Sequence, residues 1–418
     1  MNRNPITASL ADPYQLELLY RENPDHFVRW FREAIRMHPR AHLLLYWQAR
    51  LQFRPEPDAD APWIGGGQLT RLLLLCVLAF LLVKLPWILS LDEVWYLPRV
   101  APAAVVLALC LFLARVEEPL RQTLGIPALG LGLLSFSLLM LPDLRQSDSV
   151  IMALLHGPIL AWCLLGYAHA AGHWQDTGRR LEYLRYNGEL LILTVLILLG
   201  GGVLTGLTLE LFALIGLDIV DWYARNVILA GAVSAPLVAT FLYEVIFHRQ
   251  SRFATTIANL FTPLFLVTVV AFLLAMAVAR KSPYTDRDFL ILFNGLLILV
   301  LGMTLFSISG RDPDRPSRLT DLVSAGLLVV TLLVNAVALS AIAYRLAEWG
   351  ATPNRVVVIG VNLLVFIHLM LIALAYLRNW RQRGYGGDLA RITTGYLPVY
   401  GAWAMVVILV LPWVFSYR

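Results

Sequence analysis

At 418 residues, 59% hydrophobic and 15% charged, the chain is too apolar for a water-soluble domain, where about 45–50% apolar and about 25% charged residues are usual. Its formal charge of +5 comes without a basic run interleaved with aromatics, which argues against nucleic acid as a partner and for the lipid bilayer, whose cytoplasmic loops collect basic residues. Cys76, Cys110 and Cys163 all fall inside apolar runs, with neither metal-type spacing nor a disulfide framework.

Residues 1–65 form the first segment. "MNRNPITASLADPYQLELLYRENP" has no signal-peptide core, so the first membrane span is expected to act as its own insertion signal. Asp12-Pro13, Asn23-Pro24 and His38-Pro39 read as three helix starts with proline in the first turn. Phe27, Trp30, Phe31, Ala34 and Ile35 follow an amphipathic stripe, with Arg29, Arg32, Glu33 and Arg36 opposite. A small cytoplasmic helical module is expected, either capping membrane loops or receiving a protein partner. "RPEPDADAPWIGGGQ" is its linker.

Residues 66–418 read as a multi-pass transmembrane domain, so the fold class is an all-α polytopic bundle. About eleven spans are expected, near 71–91, 100–114, 126–142, 150–171, 190–208, 227–247, 257–279, 289–309, 322–343, 356–377 and 398–416. A stretch such as "VVVIGVNLLVFIHLMLIALAY" is apolar on all sides, unlike the alternating strands of a barrel. The second and third spans are short enough for a re-entrant pair. Loop arginines and lysines divide fourteen to eight in favour of a cytoplasmic N-terminus and an outward C-terminus, with the 280–287 loop against the trend.

Chemistry-bearing residues follow in chain order. "SLDEVWYLPR" pairs Asp92 with Glu93 after the first span. This resembles the acidic motif of lipid-linked glycosyltransferases, where a carboxylate acts as base or metal ligand. Those enzymes carry a sizeable outer loop that this chain lacks, and a short acidic interfacial turn explains the pair as well. "HAAGH" sets His169 and His173 four apart, half of a metal site if both lie on one helix face, but without a third ligand or an HExxH glutamate. "LLGGGVLTGLTLELF" reads as close helix packing or a broken helix in the fifth span, and "ELFALIGLDIVDWYARN" as an interfacial segment after it.

Lys84, His156, Asn259, Asn294, Asn335, Asn362 and His368 are polar groups inside spans, where they are costly and face protein or a water-filled cavity. Asn294, Asn335 and Asn362 sit in three successive spans and fit one network. With His368 they are the candidates for a substrate path. No carboxylate is expected at mid-membrane, because Glu189, Glu210 and Glu244 fall near span ends; a proton-coupled pump normally needs one. "YRLAEWGATPNR" reads as a tight corner, with Gly350, Thr352 and Pro353 as stop and start signals. Glu348 and Arg355 are left over as candidates for a vestibule. No GxGxxG, Walker or GxSxG motif is present, so no cofactor is expected and ATP-driven or classical hydrolase chemistry has no support.

"RRLEYLRYNGELLILTVLILLGGGVLTGLTLELF", "FATTIANLFTPLFLVTVVAFL" and "YRLAEWGATPNRVVVIGVNLLVFIHLMLIAL" together resemble a family of uncharacterised bacterial inner-membrane proteins, a domain of unknown function. The resemblance covers about residues 179–378 and implies a multi-pass protein of a bacterial cytoplasmic membrane. It brings no catalytic residues. The functional expectation is a transport-type or envelope-associated protein. The alternatives are a membrane enzyme at the outer face and a scaffold recruiting a partner through its N-terminal helices.

Overall fold

A computed structural model describes residues 5–10, 12–22, 24–38, 41–52, 66–114, 120–143, 147–279, 287–311, 318–382 and 387–417. The linker at 53–65 and most of the 280–287 loop lie outside the described residues. The chain divides into two units, Met1–Gly66 and Gly67–Arg418.

The first unit contains α1 (Pro5–Ala8), α2 (Pro13–Glu22), α3 (Pro24–Met37) and α4 (His42–Gln52). Proline opens α2 and α3, where a missing N–H costs nothing. The third start differs: α4 begins at His42 rather than beside Pro39. Phe27, Phe31 and Ala34 are buried with Ile6, Leu16, Leu44 and Trp47, and Trp30 and Ile35 pack against them. Glu33 and Arg36 are exposed; the Arg29 and Arg32 side chains lie outside the described residues. Arg50 lies over Trp47, 4.5 Å from its ring centroid, and pairs with Glu17 at 2.5 Å. Hydrogen bonds from Arg50 and Arg21 hold the Glu17 carboxyl below its ordinary range.

In the second unit every regular element among the described residues is helical, and eleven helices are long and apolar enough to cross a membrane. They are α5 (Gly67–Leu89), α6 (Glu93–Leu113), α7 (Arg121–Leu139), α8 (Asp148–His169), α9 (Thr177–Leu214), α10 (Val220–Ile246), α11 (Phe253–Ala275), α12 (Ile291–Ser309), α13 (Leu319–Trp349), α14 (Pro353–Arg378) and α15 (Asp388–Val414). The protein is an all-α polytopic bundle. α8 packs on α6, α7 and α15; α9 pairs with α10; α11, α12 and α13 form a mutual trio, with α14 alongside α13.

Three differences from the sequence reading have physical causes. α6 and α7 are full-length helices of 21 and 19 residues, not a re-entrant pair. The polar letters that hid the start of α6 are satisfied locally. Asp92 caps it by accepting from the Val94 N–H at 2.9 Å. Arg99, only 3% exposed, donates to the carbonyls of Trp95 (2.7 Å), Leu138 (3.2 Å) and Pro142 (3.5 Å), closing the end of α7 as a cation does at a helix C-terminus. Second, α9 is one unbroken helix of 38 residues, about 57 Å at 1.5 Å per residue. That exceeds a bilayer with its headgroups, about 40–45 Å. The glycines therefore mark no break. Third, no separate interfacial segment follows it: a turn at Gly216, φ 76°, leads directly into α10.

α10 carries π-helical turns at Ala224–Ile228 and Leu242–Ile246. A π turn shifts the carbonyl ladder and frees acceptors. The ammonium of Lys84, on α5, takes the Arg225 carbonyl at 2.7 Å and Asn226 Oδ1 at 3.1 Å. Lys84, the cation in the interior of the first span, is thus accounted for.

Candidate functional site: a polar seam through α12 to α15

The structure brings together the three asparagines that the sequence places in successive spans. Asn362 Nδ2 on α14 donates to Asn294 Oδ1 on α12 at 2.8 Å. Asn335 Nδ2 on α13 donates to the Asn362 main-chain carbonyl at 3.2 Å. Asn335 is fully buried and Asn362 nearly so, so no space large enough for a water molecule adjoins Asn335. The network is packed, not the lining of an open path.

What makes it more than interhelical glue is what stays unpaired. Asn335 Oδ1 has no partner, and neither has Thr331 Oγ1, one turn earlier on α13 and fully buried. A helical threonine ordinarily satisfies its hydroxyl on the carbonyl four residues back. Six others among the described residues do so, at Thr208, Thr240, Thr256, Thr262, Thr268 and Thr394. Thr331 does not. Each orphaned buried group costs about 1–3 kcal/mol, and in lipid no solvent relieves that cost.

Further along α14, His368 is fully buried. Its ring stacks on Tyr396 at 4.5 Å, and its Nδ1 meets the Tyr400 hydroxyl at 2.9 Å. Thr393 Oγ1 is also unpaired. Polar atoms thus recur from Asn294 through Asn362, Asn335 and Thr331 to His368 and α15. Sequence reasoning missed Thr331 and Thr393, since nothing in the letters distinguishes them from the six self-satisfied threonines.

The other candidates separate from this seam. The α8 helix ends at His169, and the turn through Ala171 (φ 50°) and Gly172 (φ 79°) carries the exposed His173 past it. The two histidines therefore do not share a helix face, which removes the geometry behind the metal half-site. His169 instead stacks on Tyr186, 5.0 Å between centroids. No group of three potential metal ligands occurs among the described residues. A cleft of about 20 Å³ near His169, lined also by Thr123, Arg179, Glu182 and Arg249, has room for about one water molecule.

Asp92 is the cap of α6, and Glu93 is exposed in its first turn, where the helix dipole favours an anion. Asp92→Ala is expected to cost about 0.5–2 kcal/mol, and Glu93→Ala to stay within about 0.5 kcal/mol. Thermal unfolding of the purified variants checks both values; equal effects would show that the acidic pair acts as a unit.

Corner residues behave as the local signals require. Gly350 has φ 76°, Thr352 Oγ1 accepts from the Arg355 N–H at 3.4 Å, and α14 opens at Pro353. Arg355 turns back to cap α13, donating to the carbonyls of Trp349 (3.0 Å) and Gly350 (2.8 Å). Glu348 is exposed. Arg355 is thereby explained by the corner. Comparison of the chain with protein-family models, with curated proteins and with solved structures finds no match in any of the three.

Proposed function

We propose that this chain is a transport-type protein of a bacterial cytoplasmic membrane, with its N-terminus in the cytoplasm and its C-terminus outside, and that its polar path follows α12 to α15. The supporting observation is the unpaired, buried Thr331 and Asn335 oxygens within a network built from three spans. Buried polar groups in lipid are expensive and mark substrate or ion pathways. A network serving only to hold helices together is expected to satisfy its own members. The closed packing is that of an occluded conformation. Membrane side follows from the excess of arginines in the loops assigned to the cytoplasm, and bacterial origin from the resemblance over about residues 179–378.

The test compares energised membrane vesicles containing the wild-type protein with vesicles containing Asn362→Leu, whose solute contents are profiled by untargeted mass spectrometry. At least one small solute is expected to accumulate with the wild type and not with the variant. Identical contents at equal protein levels would overturn the reading.

A further inference from the structure

We propose that Thr331 Oγ1 and Asn335 Oδ1, with the Asn362 main-chain carbonyl and Asn294 Oδ1, form an intramembrane site for a single dehydrated monovalent cation, sodium in preference to potassium. The proposal deepens the transport reading and rests on it for its physiological role, though not for binding itself.

Thr331 and Asn335 lie four residues apart on α13, so their side chains share one helix face. Both oxygens are unpaired and both residues are fully buried. The Asn335 amide already engages the Asn362 carbonyl at 3.2 Å, and Asn362 Nδ2 engages Asn294 Oδ1 at 2.8 Å. Each of those acceptors keeps a second lone pair. The donor set therefore consists of amide, carbonyl and hydroxyl oxygens, the hard ligands that suit alkali and alkaline-earth cations rather than thiophilic metals.

Charge decides between those two groups. None of the four donors is a carboxylate. The Born cost of carrying an ion into a low-dielectric medium rises with the square of its charge, so a neutral oxygen cage tolerates one positive charge far better than two. Size decides within the monovalent ions. No water-sized space adjoins Thr331 or Asn335. A bridging water is therefore too large without repacking, as is potassium, which is close to water in size. Dehydrated sodium is smaller than either. The threonine contrast points the same way: Thr331 forgoes the carbonyl of its own helix, leaving an oxygen free for a ligand.

The experiment measures equilibrium binding of radioactive sodium to the purified full chain in detergent, with choline chloride holding ionic strength constant and potassium as competitor. Saturable binding of about one ion per chain is expected, with weak competition by potassium and a melting temperature that rises with sodium by mass action. Thr331→Val should weaken binding about tenfold or more. The same variant should melt higher than wild type in choline, because an isosteric methyl replaces an orphaned hydroxyl. Thr262→Val, whose hydroxyl is paired within its own helix at 2.7 Å, should bind sodium as the wild type does. Absence of saturable sodium binding by the wild type would overturn the proposal, as would binding that survives Thr331→Val or equal competition by potassium. Sodium binding without solute accumulation in vesicles would sink the transport reading alone; accumulation without sodium binding would sink this site alone.

Discussion

Replacing Glu189 by alanine is expected to destabilise the bundle by about 2–4 kcal/mol. Glu189 is fully buried, and its Oε1 accepts the Ala254 N–H at 2.9 Å, in the first turn of α11. One turn earlier, Arg185 donates through Nε (3.3 Å) and Nη2 (2.8 Å) to the Ser309 carbonyl at the end of α12. A single stretch of α9 thus supplies an acceptor to the start of one helix and a donor to the end of another, each with the sign that the helix dipole favours. Alanine removes the cap, worth about 0.5–2 kcal/mol, and leaves a cavity where one methylene and the carboxyl had been, for which core truncations cost about 2–5 kcal/mol. The two losses overlap, which sets the combined figure. Glu189→Gln keeps an oxygen for Ala254 and changes only the unpaired Oε2, so about 1 kcal/mol is expected. Thermal unfolding gives the ranking, and hydrogen exchange at the first turn of α11 gives the mechanism. If Glu189→Ala exchanges there like wild type, the capping account fails.

That carboxyl also shows where the sequence stops being legible. The eleven spans follow from long apolar runs, because a bilayer imposes length and composition on each helix separately. The corner at Gly350 follows from local signals alone, as does the amphipathic stripe of α3. What fails is everything set by a neighbour. Glu189 reads as a residue at a span end, because the sequence gives no way to see that α9 begins at Thr177 and carries it inside the bundle. Arg99 reads as a loop charge and is a buried cap, its cost offset by three carbonyls from α6 and the α7 end. Asn294, Asn335 and Asn362 are recognisable as polar groups in consecutive spans. Thr331 is not, since only a rotamer separates it from threonines that pay back to their own helix.

Glycine makes the same point as a measurement. Gly188→Ala is expected to destabilise by about 1–3 kcal/mol, while Gly202→Ala on the same helix is expected to be neutral or stabilising by up to about 1 kcal/mol. A Cβ on Gly188 would lie 2.6 Å from Ala254 Cβ and 3.0 Å from Phe306 Cδ1, well inside the carbon contact distance of about 3.5–4.0 Å. The Ala254 methyl is fixed to the backbone and cannot turn aside, so α9 and α11 must separate. That separation also stretches the neighbouring Glu189–Ala254 bond, which is why the overpacking outweighs the helix propensity that alanine gains. Around Gly202 a new Cβ meets nothing within 4 Å, and only 6% of the most apolar window of α9 is buried. Propensity then acts unopposed. The glycine-rich letters drew attention to the wrong end of the helix: the close approach is made by one glycine outside the cluster. Melting temperatures of the two variants in the same detergent decide the matter. Should Gly202→Ala prove as damaging as Gly188→Ala, the C-terminal half of α9 must be covered in the membrane by something its own bundle does not provide.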